Sequence, residues 1–257
     1  MNKENIIKYY NKFNEDKRLT RRHGIIEQKV ALKYINEYLS KMNNPKIIDV
    51  GAGSGAYSIP LSEKYDVTAV ELVKHNLMML KKKNSTIPSF LGDATNLSMF
   101  KDNTFDVVLL FGPMYHLIED SKKIKALQEA KRIVKENGLI FISYYMNEYA
   151  VITHGFIEGT IKEDIKNNLL DKTFHITPKK TDLYSMVRLE DIDYYKDTLN
   201  LKRIKIISQD GPTDYLRKTI NKMDEETFEI YYQYILSICE RKDLLGASSH
   251  VLDILKK

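Results

Sequence analysis

Ile47-Ile48-Asp49-Val50-Gly51-Ala52-Gly53-Ser54-Gly55 is a short apolar run with one acid that breaks into three glycines on alternate positions. With Pro45 ahead of it and Ala56 to Lys64 behind it, the pattern predicts a buried strand, a glycine-rich turn and a helix. Nucleoside- and dinucleotide-binding folds are built from that unit. Glycine there supplies backbone angles closed to other residues, and its missing side chain lets a ligand approach the main chain. An ordinary tight turn in an α/β protein would use the same residues, so the neighbours decide. Gly51, Gly53 and Ala56 formally satisfy the nicotinamide-cofactor fingerprint with alanine in its last place. Asp49 argues against that reading, because a carboxylate at the end of the strand repels a pyrophosphate and suits a cationic or amine-bearing ligand. The next strand, Asp66-Val67-Thr68-Ala69-Val70, ends in Glu71, whose two oxygens can accept from ribose hydroxyls. A ribose is expected and a phosphate is not.

Asp49 to Gly55, Glu71, Gly92-Asp93-Ala94 and Phe105-Asp106-Val107-Val108-Leu109-Leu110 lie in the order and at the spacing of one family's cofactor motifs. In them the chain resembles the class I S-adenosylmethionine-dependent methyltransferases. Gly112-Pro113-Met114-Tyr115-His116-Leu117 and Leu244-Leu245-Gly246-Ala247-Ser248-Ser249-His250 extend the resemblance to a bacterial subgroup, so that it covers most of the chain. The resemblance implies S-adenosyl-L-methionine as cofactor and S-adenosyl-L-homocysteine as product. It implies a cofactor site made by Asp49, Gly51, Ala52, Gly53, Gly55, Glu71, Leu72, Asp93, Ala94, Phe111 and Tyr10. Asp93 would accept from an adenine amino group while the Ala94 N–H donates to the ring, although an acid in that place can equally cap a turn. The methyl acceptor is left open.

The implied fold is α/β: a Rossmann-like, three-layer class I methyltransferase sandwich with a seven-stranded, mostly parallel sheet, an antiparallel C-terminal edge and helical insertions. A single domain spans residues 1–257. Periodicity reads along the chain in the same sense. Residues 1–40 form an N-terminal helical cap, with Tyr9, Tyr10 and Phe13 followed by Lys17, Arg18, Arg21 and Arg22; a flap over the cofactor is the functional reading. Ile26, Val30, Tyr34 and Tyr38 recur every four residues on a core-facing helix from Gly24 to Ser40. Helices are predicted from Tyr57, from Lys74 to Lys83 and from Ser121, as N-cap, to Asn137, with Gly138 as the stop. Strands are predicted at Phe90-Leu91, Asp106 to Phe111, Leu139 to Tyr145, Leu201 to Ile207 and Val251 to Leu255. Residues 147–183, with a polar helix from Ile157 to Leu170, exceed what a connection requires and read as a lid or acceptor-binding insertion. Residues 213–245 read as a second helical insertion.

Lys+Arg 40 against Asp+Glu 35 in 257 residues gives a net charge of +5 on a mixed surface, which permits RNA binding without arguing for it. The one cysteine, Cys239, lies in an apolar helical stretch and reads as a buried structural thiol, so neither a disulfide framework nor a metal site is expected. The N-terminus lacks the apolar region of a signal peptide, no stretch reaches the length of a membrane span, and the expected location is the cytoplasm. The expected state is a monomer or homodimer. A sulfonium cofactor carries an activated methyl group, so the protein has mainly to align an acceptor and exclude water. His116 and Tyr115, just beyond strand four, are the candidate catalytic residues: the imidazole could deprotonate a hydroxyl, amine or thiol and the phenol could orient it. A histidine capping the next segment and a tyrosine in the core would look the same. Gly112 stands where enzymes methylating planar amines carry Asn or Asp, so a small-molecule O, N or S acceptor leads. An RNA methyltransferase, a non-catalytic cofactor-binding protein and a nicotinamide dehydrogenase are the alternatives.

Overall fold

The computed structural model describes residues 3–11 and 21–257; Phe13, Lys17 and Arg18 of the expected N-terminal cap lie outside the described residues. Ile47, Ile48 and Val50 are fully buried in β1 (Lys46–Val50), as in a parallel strand covered on both faces. It pairs in parallel with β2 (Asp66–Glu71) and β4 (Phe105–Leu110). β3 (Ser89–Leu91) extends the sheet beyond β2, and β5 (Val134–Tyr145) extends it beyond β4. β7 (His250–Lys256) runs antiparallel between β5 and the edge strand β6 (Lys202–Ser208). The order β3-β2-β1-β4-β5-β7-β6 is the expected seven-stranded sheet with its antiparallel C-terminal edge.

Helices cover both faces. On one, α2 (Arg22–Leu39) buries Ile26, Val30, Ala31, Tyr34 and Ile35. They pack with Leu61 of α3 (Ser58–Ser62), Leu80 of α4 (Lys74–Lys83) and Phe228, Tyr232 and Ile235 of α11 (Glu225–Ile238). The other face buries Met114 of α5 (Gly112–His116), Leu127 and Ala130 of α6 (Asp120–Ile133) and Ile192 and Tyr195 of α9 (Leu189–Thr198). Before these, α1 (Lys3–Tyr10) lays Ile6 and Tyr10 across the sheet's carboxyl end. Cys239 is buried, with its sulfur 3.2 Å from the Tyr34 hydroxyl. Among the described residues no helix is long and apolar enough to cross a membrane.

Three boundaries differ from the reading of the sequence. α6 starts at Asp120 with Glu119, not Ser121, at its N-cap, and it stops at Ile133. Val134 already pairs with Phe105, and Asn137 takes a positive φ of 64°, so the four residues predicted to end the helix open β5 instead. In the insertion the chain runs through α7 (Asn147–Ala150), a π-helical turn (Val151–Ile157) and the six-residue α8 (Ile161–Lys166). Gly159 (φ 83°) and Asn168 (φ 53°) break the helix predicted over 157–170 on either side. The second insertion holds α10 (Arg217–Ile220), α11 and a 3-10 turn (Lys242–Ala247).

Candidate cofactor and acceptor site

A cavity opens beyond the carboxyl ends of β1, β2 and β4, where the strand order reverses direction between β1 and β4. That crevice is where open α/β sheets bind ligands. Asp49, Gly51, Ala52, Gly53, Glu71, Leu72, Asp93, Ala94 and Phe111 all line it, with Tyr10 closing over them from α1 and Tyr115 and His116 at its far end. Gly55 is the exception. Its φ of 97°, and a Cβ that would lie 2.7 Å from the Ile59 side chain, make it a turn residue packed on α3.

The glycine turn is shaped for close approach. Gly51 (φ 82°) donates to the Val70 carbonyl at 2.8 Å, and a Cβ there would sit 2.5 Å from the Pro113 ring. Gly53 (φ 56°) has nothing within 4 Å of where its Cβ would be, so its backbone is bare toward the cavity. Its N–H donates to Glu71 Oε2 at 2.8 Å, while the Val73 N–H donates to Oε1 at 2.8 Å. Glu71 is therefore held rigid by the turn it faces. Asp49 accepts from the Ser58 hydroxyl at 2.5 Å. Burial raises its carboxyl to about 6, with the Glu71 charge adding to the rise and the Ser58 bond opposing it. Burial also pushes the Glu71 carboxyl up, against the backbone N–H bonds that hold it down. Two buried carboxylates side by side make this end of the cavity negative. Asp93 forms the turn that the alternative reading foresaw, accepting from the Thr95 N–H and hydroxyl at 2.9 Å each, and it stands in the cavity wall as well.

At the far end, His116 is buried between two partners. Its Nδ1 donates to the Leu183 carbonyl at 2.9 Å, which leaves Nε2 to accept from the Tyr10 hydroxyl at 2.8 Å. Burial lowers the imidazole to about 4, the Leu183 carbonyl only partly offsetting it, so the ring is neutral at pH 7. Tyr184 stacks on it at 5.1 Å and Tyr115 meets it edge-on at 4.9 Å. The insertion and α1 thus meet at His116.

Sequence reasoning missed Glu27, Tyr57 and Asn76 of the wall. Glu27 was legible in principle: it falls on the buried stripe of α2 with His23, Val30 and Tyr34, an acid where the period asks for an apolar residue. His250, which opens β7, and Asp210, two residues past the end of β6, stand next to the wall residue Glu27: His250 Nδ1 is 2.8 Å from Asp210 Oδ2 and 4.0 Å from Glu27 Oε2. Among the described residues Asp210, Asp214 and His250 are the one group spaced to share a metal ion.

Residues 48–142 match the model of the methyltransferase domain family. The chain is 28% identical over 124 residues to ribosomal RNA small subunit methyltransferase A of Wigglesworthia glossinidia brevipalpis, across 46% of this chain and 47% of the relative. It is 27% identical over 173 residues to a ubiquinone biosynthesis O-methyltransferase of Rickettsia akari, across 65% of each. The chain thus spans from about half to just under two thirds of the length of these curated relatives. Among solved structures it superposes with a TM-score of 0.60 and 18% identity, over 99% of both chains, on a methyltransferase from Thermotoga maritima described as a possible histamine N-methyltransferase. The fold is the Rossmann-like methyltransferase fold, and the stretch that matches the methyltransferase domain model runs from β1 through the body of β5.

Proposed function

We propose that the protein transfers the methyl group of S-adenosylmethionine to a small-molecule O, N or S acceptor. The observation that carries the reading is the pair of buried carboxylates, Asp49 and Glu71, around the bare backbone of Gly53. Those acceptors suit the hydroxyls of a ribose and a cationic amino acid portion, and they reject a pyrophosphate. Glu71 would hold the ribose, Asp93 and Ala94 the adenine, and Asp49 with the turn the methionine end. When bound, the sulfonium supplies an activated methyl group. The chain's own task is alignment and the exclusion of water. Tyr115 and His116 face the acceptor, and His116, neutral and bonded to Tyr10, acts as a hydrogen-bond acceptor that draws α1 over the cavity. A ribosomal RNA acceptor, as named for the Wigglesworthia relative, is the second reading; α1 across the mouth favours a small molecule.

Calorimetry on the purified protein is expected to show S-adenosylmethionine and S-adenosylhomocysteine binding at micromolar affinity or tighter, about −8 kcal/mol or more favourable. Heat from a nicotinamide dinucleotide, and none from either sulfur compound, would sink the proposal. We further propose that the segment 147–183 and α1 act together as the cover. In hydrogen exchange both should protect on adding S-adenosylhomocysteine while β4 stays protected throughout. Rapid exchange of both in the bound protein would assign them another role.

A further inference from the structure

Four acids line the cavity, Glu27, Asp49, Glu71 and Asp93, and among the described residues its lining holds neither a lysine nor an arginine. His116, the lining residue that could take up a positive charge, is kept neutral at pH 7 by its burial. Walls that carry charge of one sign focus a negative field inward and draw in cations. Three of the four acids belong to the proposed cofactor end: Asp49 is bonded to Ser58, Glu71 to the Gly53 and Val73 N–H groups, and Asp93 to Thr95. All three lie within residues 48–142, which match the methyltransferase domain model. Glu27 does not. It comes from α2, ahead of β1, so the shared cofactor motifs do not account for an acid at this place.

The neighbours of Glu27 place it among rings. Gln209 Nε2 donates at 3.4 Å both to the Glu27 carbonyl and to the Tyr57 hydroxyl, and the Tyr57 ring meets Phe111 edge-on at 4.7 Å. On its other side, Glu27 Oε2 is 4.0 Å from His250 Nδ1, whose ring centre is 6.1 Å from that of Tyr115. Tyr57, Phe111 and Tyr115 all line the cavity with Glu27, and Tyr115 marks its far end. A carboxylate beside aromatic rings is the pairing that holds an ammonium group: the acid accepts its N–H bonds, and the ring faces attract its charge. A neutral or anionic molecule of the same shape gains neither.

Resting on the methyltransferase reading, we propose that Glu27 is the specificity-determining residue of the acceptor end, and that the acceptor is a small molecule carrying a protonated amine. The Glu27 carboxylate receives the ammonium N–H donors, and the rings of Tyr57 and Tyr115 stand on either side. The positive charge on His250 does not cancel the attraction, because Asp210 holds that imidazole at 2.8 Å. Arg217 lies behind Asp214 at 3.4 Å. Among these five groups the three acids outnumber the two cations, so the wall that Glu27 presents stays negative.

The test uses the full chain saturated with S-adenosylhomocysteine and three probes of nearly one shape: benzylamine, a cation at neutral pH, benzyl alcohol, which is uncharged, and benzoate, an anion. By calorimetry the wild type should bind benzylamine about tenfold or more tighter than benzyl alcohol, with benzoate the weakest. This ranking needs no variant, so it tests the proposal even if a substitution unfolds the chain. Glu27→Gln keeps the length of the side chain and removes its charge, and its melting temperature checks the fold. It should cut the preference for benzylamine over benzyl alcohol to less than about threefold, with affinity for S-adenosylhomocysteine within about twofold of wild type. Equal affinity for the three probes, tighter binding of benzoate, or a preference that survives Glu27→Gln overturns the assignment. So does a loss in Glu27→Gln that falls on S-adenosylmethionine and spares the probes, because it would set Glu27 against the sulfonium. If S-adenosylhomocysteine binds but benzylamine does not, the amine assignment fails and the methyltransferase reading stands. Absence of S-adenosylhomocysteine binding overturns that reading itself.

Discussion

Glu71→Ala is expected to weaken S-adenosylhomocysteine binding by about 1.5–3 kcal/mol, roughly ten- to over a hundredfold, because a charged acceptor is lost from the ribose end of the proposed site. The structure adds a second consequence. The carboxylate also accepts from the Gly53 and Val73 N–H groups at 2.8 Å each, so its removal leaves two main-chain donors without their partner. The melting temperature should therefore fall as well, by an amount corresponding to about 1–3 kcal/mol. Glu71→Gln separates the two effects. It keeps the shape and one carbonyl oxygen, but turns an N–H₂ toward one of the backbone donors. Calorimetry alongside thermal melting reads both. A folded Glu71→Ala variant with an unchanged dissociation constant would remove Glu71 from the cofactor site.

The second large effect concerns Asp210 and His250. Burial alone would lower the imidazole, but Glu27 and Asp210 outweigh it and raise His250 to about 9, while the imidazolium holds Asp210 below the usual carboxylate range. A histidine raised in the folded state contributes stability that is complete below its unfolded value near 6.5 and is lost as pH rises through about 9. For Asp210 the sign is opposite: its share is present above the ordinary carboxylate value and is lost in acid. Asp49, raised to about 6, acts only on the acid side of neutrality. Between about pH 6.5 and 9.5 the His250 effect should dominate, and the unfolding free energy in denaturant should drop by about 3 kcal/mol. His250→Asn should flatten that dependence. Asp210→Asn should cost about 3 kcal/mol at pH 7, limited because the imidazole can respond by losing its proton. A wild-type profile flat over this interval would mean that the pair is neutral or open to water.

Much of the fold was legible because its signals are local. α4 runs from Lys74 to Lys83 as its apolar period says, and β2 ends in Glu71, one residue past its β-branched and apolar run. Where the local signal was ambiguous, packing decided. Val134 to Asn137 continue the helical period of α6, yet Val134 is worth more in the sheet, fully buried against Phe105, than in a fifth helical turn. The polar stretch after Ile157 has helix-forming residues but buries none of them in α8, so Gly159 and Asn168 end the helix without resistance from a core.

The candidate site divides in the same manner. Strand, glycine turn and acidic strand end are written in consecutive residues, and the chain by itself determined that Asp49, Gly51, Gly53 and Glu71 would share one crevice, since a right-handed parallel crossover leaves no other place for them. Only the tertiary structure decided what stands opposite. Tyr10 reaches His116 across 106 residues, Asp210 reaches His250 across 40, and Glu27 approaches the same imidazole from a helix at the start of the chain. No sequence period encodes such meetings. They arise because the antiparallel β7 brings a C-terminal residue to the carboxyl end of a parallel sheet, where burial then requires each charge to find a partner.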